Sequence, residues 1–332
     1  MPRIALVLGG GGIVGQAYHA GVLAGLHDAT GWDPRNAELV VGTSAGAASG
    51  GELRAGLSAA DMAARREGTS FSAEGRRLLR SLGPPPMPEV RDVEVDAART
   101  RRSFRRLFAR SMMMPVGARP GILQALALPP GRLSAAWLSQ QTHWLHRGEG
   151  WPERLLWTCA VDLDGGARVV FGREDSPPAT VGQAVEASCA IPGVFAPVAI
   201  GERMFLDGGA WSPSNADVVA GLGLDLVVAV SPMTAVPGSL AGRSDAWVRG
   251  WCRWTLSAEL ARVRAQGTAV AVVEPERADL GPLGQLTGID ALDESRCPAI
   301  VAQVRRSTVE RIEAGRLPGL AGLGDDGLAA AA

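Results

Sequence analysis

The chain has 332 residues, 46% of them hydrophobic, enough to core one large α/β domain or two ordinary ones. Its 33 basic and 34 acidic residues leave a net charge of −1, which removes any global electrostatic case for nucleic acid or an anionic surface as partner. No stretch reaches the roughly 18 consecutive apolar residues of a membrane span, and the amino terminus runs directly into a strand-like segment, so a soluble cytoplasmic protein is expected.

Every basic residue is Arg, which reads as compositional bias rather than function. Cys159, Cys189, Cys252 and Cys297 are scattered without Cys-x-x-Cys spacing and are expected to be buried, reduced and structural.

Residues 3–8 read as an aliphatic strand that runs into Gly9, Gly10, Gly11, Gly12 and then Gly15, before helical spacing through Tyr18, Val22, Leu23 and Leu26. A glycine loop opening a helix exposes backbone N–H groups, a site suited to an anion or a developing oxyanion. Gly10-x-Gly12-x-x-Gly15 also satisfies the dinucleotide-binding pattern. A Rossmann unit, however, ends its next strand on an acidic ribose-binding residue. Residues 38–41 deliver instead Gly42-Thr-Ser44-Ala-Gly46, a strand, sharp turn and helix start that would hold the Ser44 hydroxyl out at the end of a strand.

The helix after Ser44 is expected to reach about residue 57, and regularity then drops. Residues 84–88 are a proline-rich breaker. Residues 96–114 read as a helix with arginine pairs at 101/102 and 105/106 and with Phe104, Phe108 and Met112 on another side. Two readings stand: an interfacial helix in peripheral contact with lipid, or a solvated cap whose apolar stripe packs on the body. A further helix over 133–146, with Trp137 and Trp144, closes a mostly helical insertion at about 58–150.

Regular alternation resumes with strands at 155–162 and 167–171 and a helix over 181–188. It continues with a strand at 203–206 leading into Asp207-Gly208-Gly209, and a strand at 225–230. A helix over 245–266, a strand at 268–273 and a helix over 293–313 follow. Residues 1–316 are expected to form one domain, and 317–332 a frayed tail.

A serine nucleophile needs a base. The histidines are His19, His27, His143 and His146, so the late position usual for an elbow hydrolase is empty. His143 and His146 lack the partners of a metal site and read as surface or packing residues, and no metal or cofactor is called for. Asp207 ends a strand and is followed by two glycines that leave its carboxylate uncrowded, which makes it the candidate base. An ordinary Asp-Gly turn is the alternative at this point.

Taken in order, Gly10-Gly-Gly12-Ile-Val-Gly15, Gly42-Thr-Ser44-Ala-Gly46, Ala187-Ser-Cys-Ala-Ile-Pro192 and Asp207-Gly-Gly209 resemble the bacterial patatin-like phospholipases. The resemblance implies a three-layer α/β/α fold with a mostly parallel central sheet. It also implies a Ser-Asp dyad acyl hydrolase of lipid or other acyl-ester substrates, with Ser44 as nucleophile, Asp207 as base and the N–H groups of Gly10, Gly11 and Gly12 as the oxyanion hole. Gly15, Gly42, Gly46, Gly208 and Gly209 support those motifs. One departure is Val14, where the family usually carries Arg or Lys, which puts a preference for anionic headgroups in doubt. A lipid-binding module without turnover and a dinucleotide-binding protein are the competing functions.

Overall fold

The computed structural model describes residues 2–89, 91–112, 122, 128–129, 131–148, 150–285, 288–320 and 322–323. Its strands are β1 (Ile4–Leu8), β2 (Leu39–Thr43), β3 (Leu155–Asp162), β4 (Ala167–Phe171), β5 (Val198–Ile200), β6 (Arg203–Asp207), β7 (Leu226–Val230) and β8 (Ala269–Val273). They form one sheet in the order β5-β6-β3-β2-β1-β7-β8, with β4 paired to β3 off this path. The ladders from β3 through β2, β1 and β7 to β8 are parallel, and those joining β4, β6 and β5 are antiparallel.

Both faces of the parallel strands are covered, as their continuous aliphatic runs require. Leu6 and Leu8 of β1, with Val228 and Val230 of β7, pack under helices α1 (Gly12–Thr30) and α10 (Cys297–Glu313). Ala5 and Val7 face the other way, against Leu256, Leu260 and Val263 of α8 (Ala246–Arg264). The result is an α/β/α sandwich.

β1 is flanked by β2 on one side and β7 on the other, so the chain reverses its winding between β1 and β7. The crevice at the carboxyl ends of the strands at such a switch point is where open α/β sheets bind ligands. The glycine loop after β1 opens into that crevice.

The segment with weak regularity contains two short helices, α3 (Ala59–Glu67) and α4 (Ala73–Leu82). Each has a serine N-cap, Ser58 accepting from the Asp61 N–H and Ser72 from the Gly75 N–H, and each stops at a glycine, Gly68 or Gly83. Those caps were the available signal, and they carry more information here than the hydrophobic spacing. Strand β5 and helix α9 (Arg277–Leu283) also lay outside the sequence expectation.

The arginine-rich segment forms α5 (Ala97–Met112), while residues 113 and 114 lie outside the described ones. Phe104 and Leu107 are buried with Phe171, Phe205 and Leu206 in a second core. Arg101, Arg102, Arg105 and Arg106 are exposed. Phe104 and Leu107 are thus used by the body, and Phe108 packs half-buried against the same core. Further along are α6 (Ala136–Leu145) and α7 (Val181–Ser188).

At the carboxyl end, Leu317, Leu320 and Leu323 are buried in the main core although a frayed tail was expected there. Residues 324–332 lie outside the described ones. Among the described residues no helix is long and apolar enough to cross a membrane.

Leu107→Ala should lower unfolding free energy by about 2–5 kcal/mol in urea titrations, and Arg106→Ala on the outward face should leave the midpoint unchanged.

Candidate active site

The register of β3 explains how two distant side chains meet. β4 covers one edge of β3 from Thr158 to Asp162, so strands sharing those residues must lie on the opposite edge. There β2 pairs as far as Thr43 with Cys159, and β6, running the other way, pairs as far as Asp207 with Ala160. The two strands thus meet end to end on one edge of β3. Ser44 leaves the end of β2 where Asp207 leaves the end of β6.

Ser44 adopts φ 53 and ψ −118, a strained conformation for a residue with a Cβ. The strain is held by close approach on both sides. A Cβ on Gly46 would sit inside the Leu8 carbonyl of β1, and one on Gly42 would collide with the backbone of Gly46 and Ala47. α2 (Ala45–Arg54) then packs its small residues directly on the sheet.

The Ser44 N–H donates to the Ser188 hydroxyl at 2.9 Å, and Ser188 donates in turn to the Cys159 carbonyl at 2.6 Å. Ser188, at the end of α7, therefore clamps the elbow to the point on β3 where β2 and β6 meet. It belongs to the Ala187-Ser-Cys-Ala-Ile-Pro192 motif, but spacing alone did not reveal this role.

Asp207 and Ser44 are only 4% and 5% exposed. The Asp207 backbone N–H donates to the Ala190 carbonyl at 3.1 Å, and its carboxylate accepts from the Gly209 N–H at 2.6 Å. Burial pushes the Asp207 carboxyl up to about 7, against the opposing pull of hydrogen bonds from the Ser44 hydroxyl and the Gly209 N–H. The Cys189 thiol lies against the same pair, and burial together with the Asp207 charge drives it well above its ordinary value, which suits packing rather than nucleophilic chemistry. All four cysteines are free and buried.

The glycine loop abuts the elbow. A Cβ on Gly10 would stand 3.6 Å from the Ser44 Cβ and 3.5 Å from the Met233 sulfur. Of the three expected oxyanion donors one is already engaged, because the Gly10 N–H donates to the Pro213 carbonyl at 2.8 Å. The N–H groups of Gly11 and Gly12 have no hydrogen-bond acceptor among the described residues and open α1 without a side-chain cap. Gly15 lies one turn along α1, its N–H bonded to the Gly11 carbonyl. Val14 is buried in the main core, so a basic residue is not merely missing there; the position points inward.

A loop after Asp207 ties these parts together. The fully buried Asn215 donates through Nδ2 to the Thr43 hydroxyl at 3.0 Å and to the Ser212 carbonyl at 2.7 Å, while its Oδ1 accepts from Arg168 at 3.1 Å. Behind it the buried Glu259 of α8 accepts from the Ser214 hydroxyl at 2.7 Å and the Ala216 N–H at 2.9 Å. Gly208 packs on the Cys159 carbonyl, where any side chain would collide.

The histidines stand elsewhere. His19 is buried beside Ser49 at 3.2 Å, and burial lowers it to about 3. The His146 Nε2–H donates to the Gly51 carbonyl at 3.0 Å. Among the described residues no hydrogen bond joins a histidine to Ser44 or Asp207, and no cluster of His, Cys, Asp and Glu has metal-binding geometry.

Fold and site together define an α/β protein with a serine elbow opposed by a buried carboxylate beside a glycine loop. The family model for patatin-like phospholipases matches residues 6–220, and the chain belongs to that family. It is 31% identical over 242 residues to uncharacterised NTE-family proteins of Mycobacterium bovis and Mycobacterium tuberculosis, a match covering 73% of this chain and 51% of theirs. The chain thus spans about half the length of those relatives. Among solved structures it is similar to VipD from Legionella pneumophila, with 14% identity, a TM-score of 0.39 and coverage of 93% and 67% of the two chains. It is similar also to the type III effector ExoU, with 16% identity, a TM-score of 0.41 and coverage of 94% and 53%.

Gly46→Ala should abolish the cooperative thermal transition of the native protein. Gly250→Ala, in open space on a helix, should instead stabilise by about 0.5–1 kcal/mol in the same scan.

Proposed function

We propose that the protein is a serine lipid acyl hydrolase, a phospholipase or esterase that cleaves carboxylic esters through an acyl-enzyme on Ser44. The observation that carries this reading is the end-to-end meeting of β2 and β6 on one edge of β3, which brings a strained serine against a buried carboxyl. Family membership supports lipid hydrolysis as the reaction class.

In the proposed reaction the Asp207 carboxylate accepts the Ser44 proton as the oxygen attacks the ester carbonyl. The N–H groups of Gly11 and Gly12 hold the oxyanion of the tetrahedral intermediate, aided by the uncapped start of α1. Collapse expels the alcohol, protonated by Asp207. Water activated by the same carboxylate then attacks the acyl-enzyme, and Ser44 recovers its proton. A base near neutrality is well matched to both transfers, because it can take a proton and return it without a large penalty in either direction. Ser188, Asn215 and Glu259 act as positioning residues. The hydrolase unit extends past residue 220, since α8 supplies Glu259 and α10 packs along α1.

A fluorophosphonate probe tests the nucleophile: wild type should label, Ser44→Ala should not, and equal labelling of the two would refute the assignment. Ester turnover should rise with pH through about 7 as Asp207 ionises, and Asp207→Asn should remove it. Stability should move the opposite way. A carboxyl whose folded pKa is raised favours the native state when protonated, and that contribution is lost as pH climbs from the ordinary carboxylate range through about 7. Asp207→Asn should therefore melt higher than wild type at pH 8, with the difference shrinking toward pH 4.

A further inference from the structure

Helix α8 begins just after the loop that follows β7, at the same carboxyl edge of the sheet as the glycine loop and the elbow. Its first turn is anchored there. The fully buried Arg249 donates to the carbonyls of Pro232 and Thr234 at 2.9 Å each, and Pro232 packs on Gly11 of the glycine loop. Whatever the outward side of this turn touches is therefore held close to the crevice.

That outward side carries indoles. Trp247, Gly250, Trp254, Ser257 and Ala261 follow the three-four spacing of one helical stripe, and all are exposed. Trp247 is 71% exposed and Trp254 54%. Between residues 231 and 258 the only acidic side chain is Asp245, and it is buried in ion pairs with Arg243 and Arg249. Arg253, beside Trp254, is 40% exposed but already engaged, its Nε standing 3.3 Å from the Glu274 carboxylate. The surface thus offers two indoles, with neither an exposed carboxylate nor an unpaired guanidinium along this stretch.

We propose that this face of α8 seats the protein on a phospholipid bilayer, so that the crevice opens toward its substrate. Indoles settle at the boundary between headgroups and acyl chains, where their apolar rings leave water and the N–H stays solvated. A stable contact with a second protein copy fits less well. Two indoles of ~150–250 Å² each, exposed as here, offer roughly 190–310 Å², against about 800 Å² per partner in a standard interface. Of α5, the other helix that could have met lipid, Phe104 and Leu107 are spent in the core. The orientation rests on the lipid-hydrolase reading, whereas the bilayer contact does not.

The test uses the full chain carrying Ser44→Ala, so that hydrolysis cannot alter the vesicles, co-sedimented with vesicles of phosphatidylcholine alone or mixed equally with phosphatidylglycerol. Both kinds of vesicle should be bound, and binding should persist in 0.5 M salt, as an indole contact requires. Adding Trp247→Ser and Trp254→Ser should lower partitioning at least tenfold without moving the thermal midpoint. Adding Arg105→Ser and Arg106→Ser on α5 should change it less than twofold. The proposal is overturned if the tryptophan variants bind as well as their parent. It is equally overturned if no vesicle is bound, or if the tryptophans prove to hold a dimer in sedimentation velocity. Failure of the fluorophosphonate experiment with vesicle binding intact would reject the hydrolase reading and leave the docking face standing.

Discussion

One edge of β3 carries the site. β2 occupies its first part in parallel and β6 its second part in antiparallel, and the two strands stop one residue apart, at Cys159 and Ala160. Because both termini point into the same gap, the side chains that follow them are forced together without any flexible loop having to find the other. The close contacts around this junction follow from it. Gly208 has room only for a hydrogen against the Cys159 carbonyl, and Ser188 bridges that same carbonyl to the Ser44 N–H.

The junction places a carboxyl where water cannot solvate it. Asp207 is held neutral over much of the acidic range by burial, and Ser44 sits in a backbone conformation that side chains rarely adopt. Both features disfavour the native state, and both are offset by packing that has no other evident purpose. Gly42 and Gly46 let the elbow lie directly on the sheet, Asn215 joins the end of β2 to the loop behind Asp207, and Glu259 pins that loop from α8. Backbone strain and a buried titratable carboxyl thus share one crevice.

The second core explains the division of labour between the two basic helices. α5 closes β3 and β6 from the side, so Phe104 and Leu107 are enclosed, Phe108 is half-buried and the arginines at 101, 102, 105 and 106 face solvent. α8 covers the sheet face beside the switch point with Leu256, Leu260 and Val263, and its remaining surface is free to carry indoles. Amphipathic spacing alone could not distinguish these cases, because it records that a helix has an apolar side and not whether the body occupies it.

Much of the site is legible in the sequence, because its chemistry is local. The strand, turn and helix around Ser44, the glycine run before it and the Asp-Gly-Gly turn each lie within a few adjacent residues, where backbone sterics and turn preferences leave few alternatives. The chain has no histidine late in its length, so Asp207 stood as the candidate base, and the ordered motifs led to the family. The tertiary structure alone decided what depends on pairing between distant segments. It showed that the Gly10 N–H is taken by the Pro213 carbonyl, that Ser188, Asn215 and Glu259 brace the dyad, and that the leucines beyond residue 316 are part of the core. Sequence spacing carries no record of which strand ends share an edge, and that register is what sets Ser44 against Asp207.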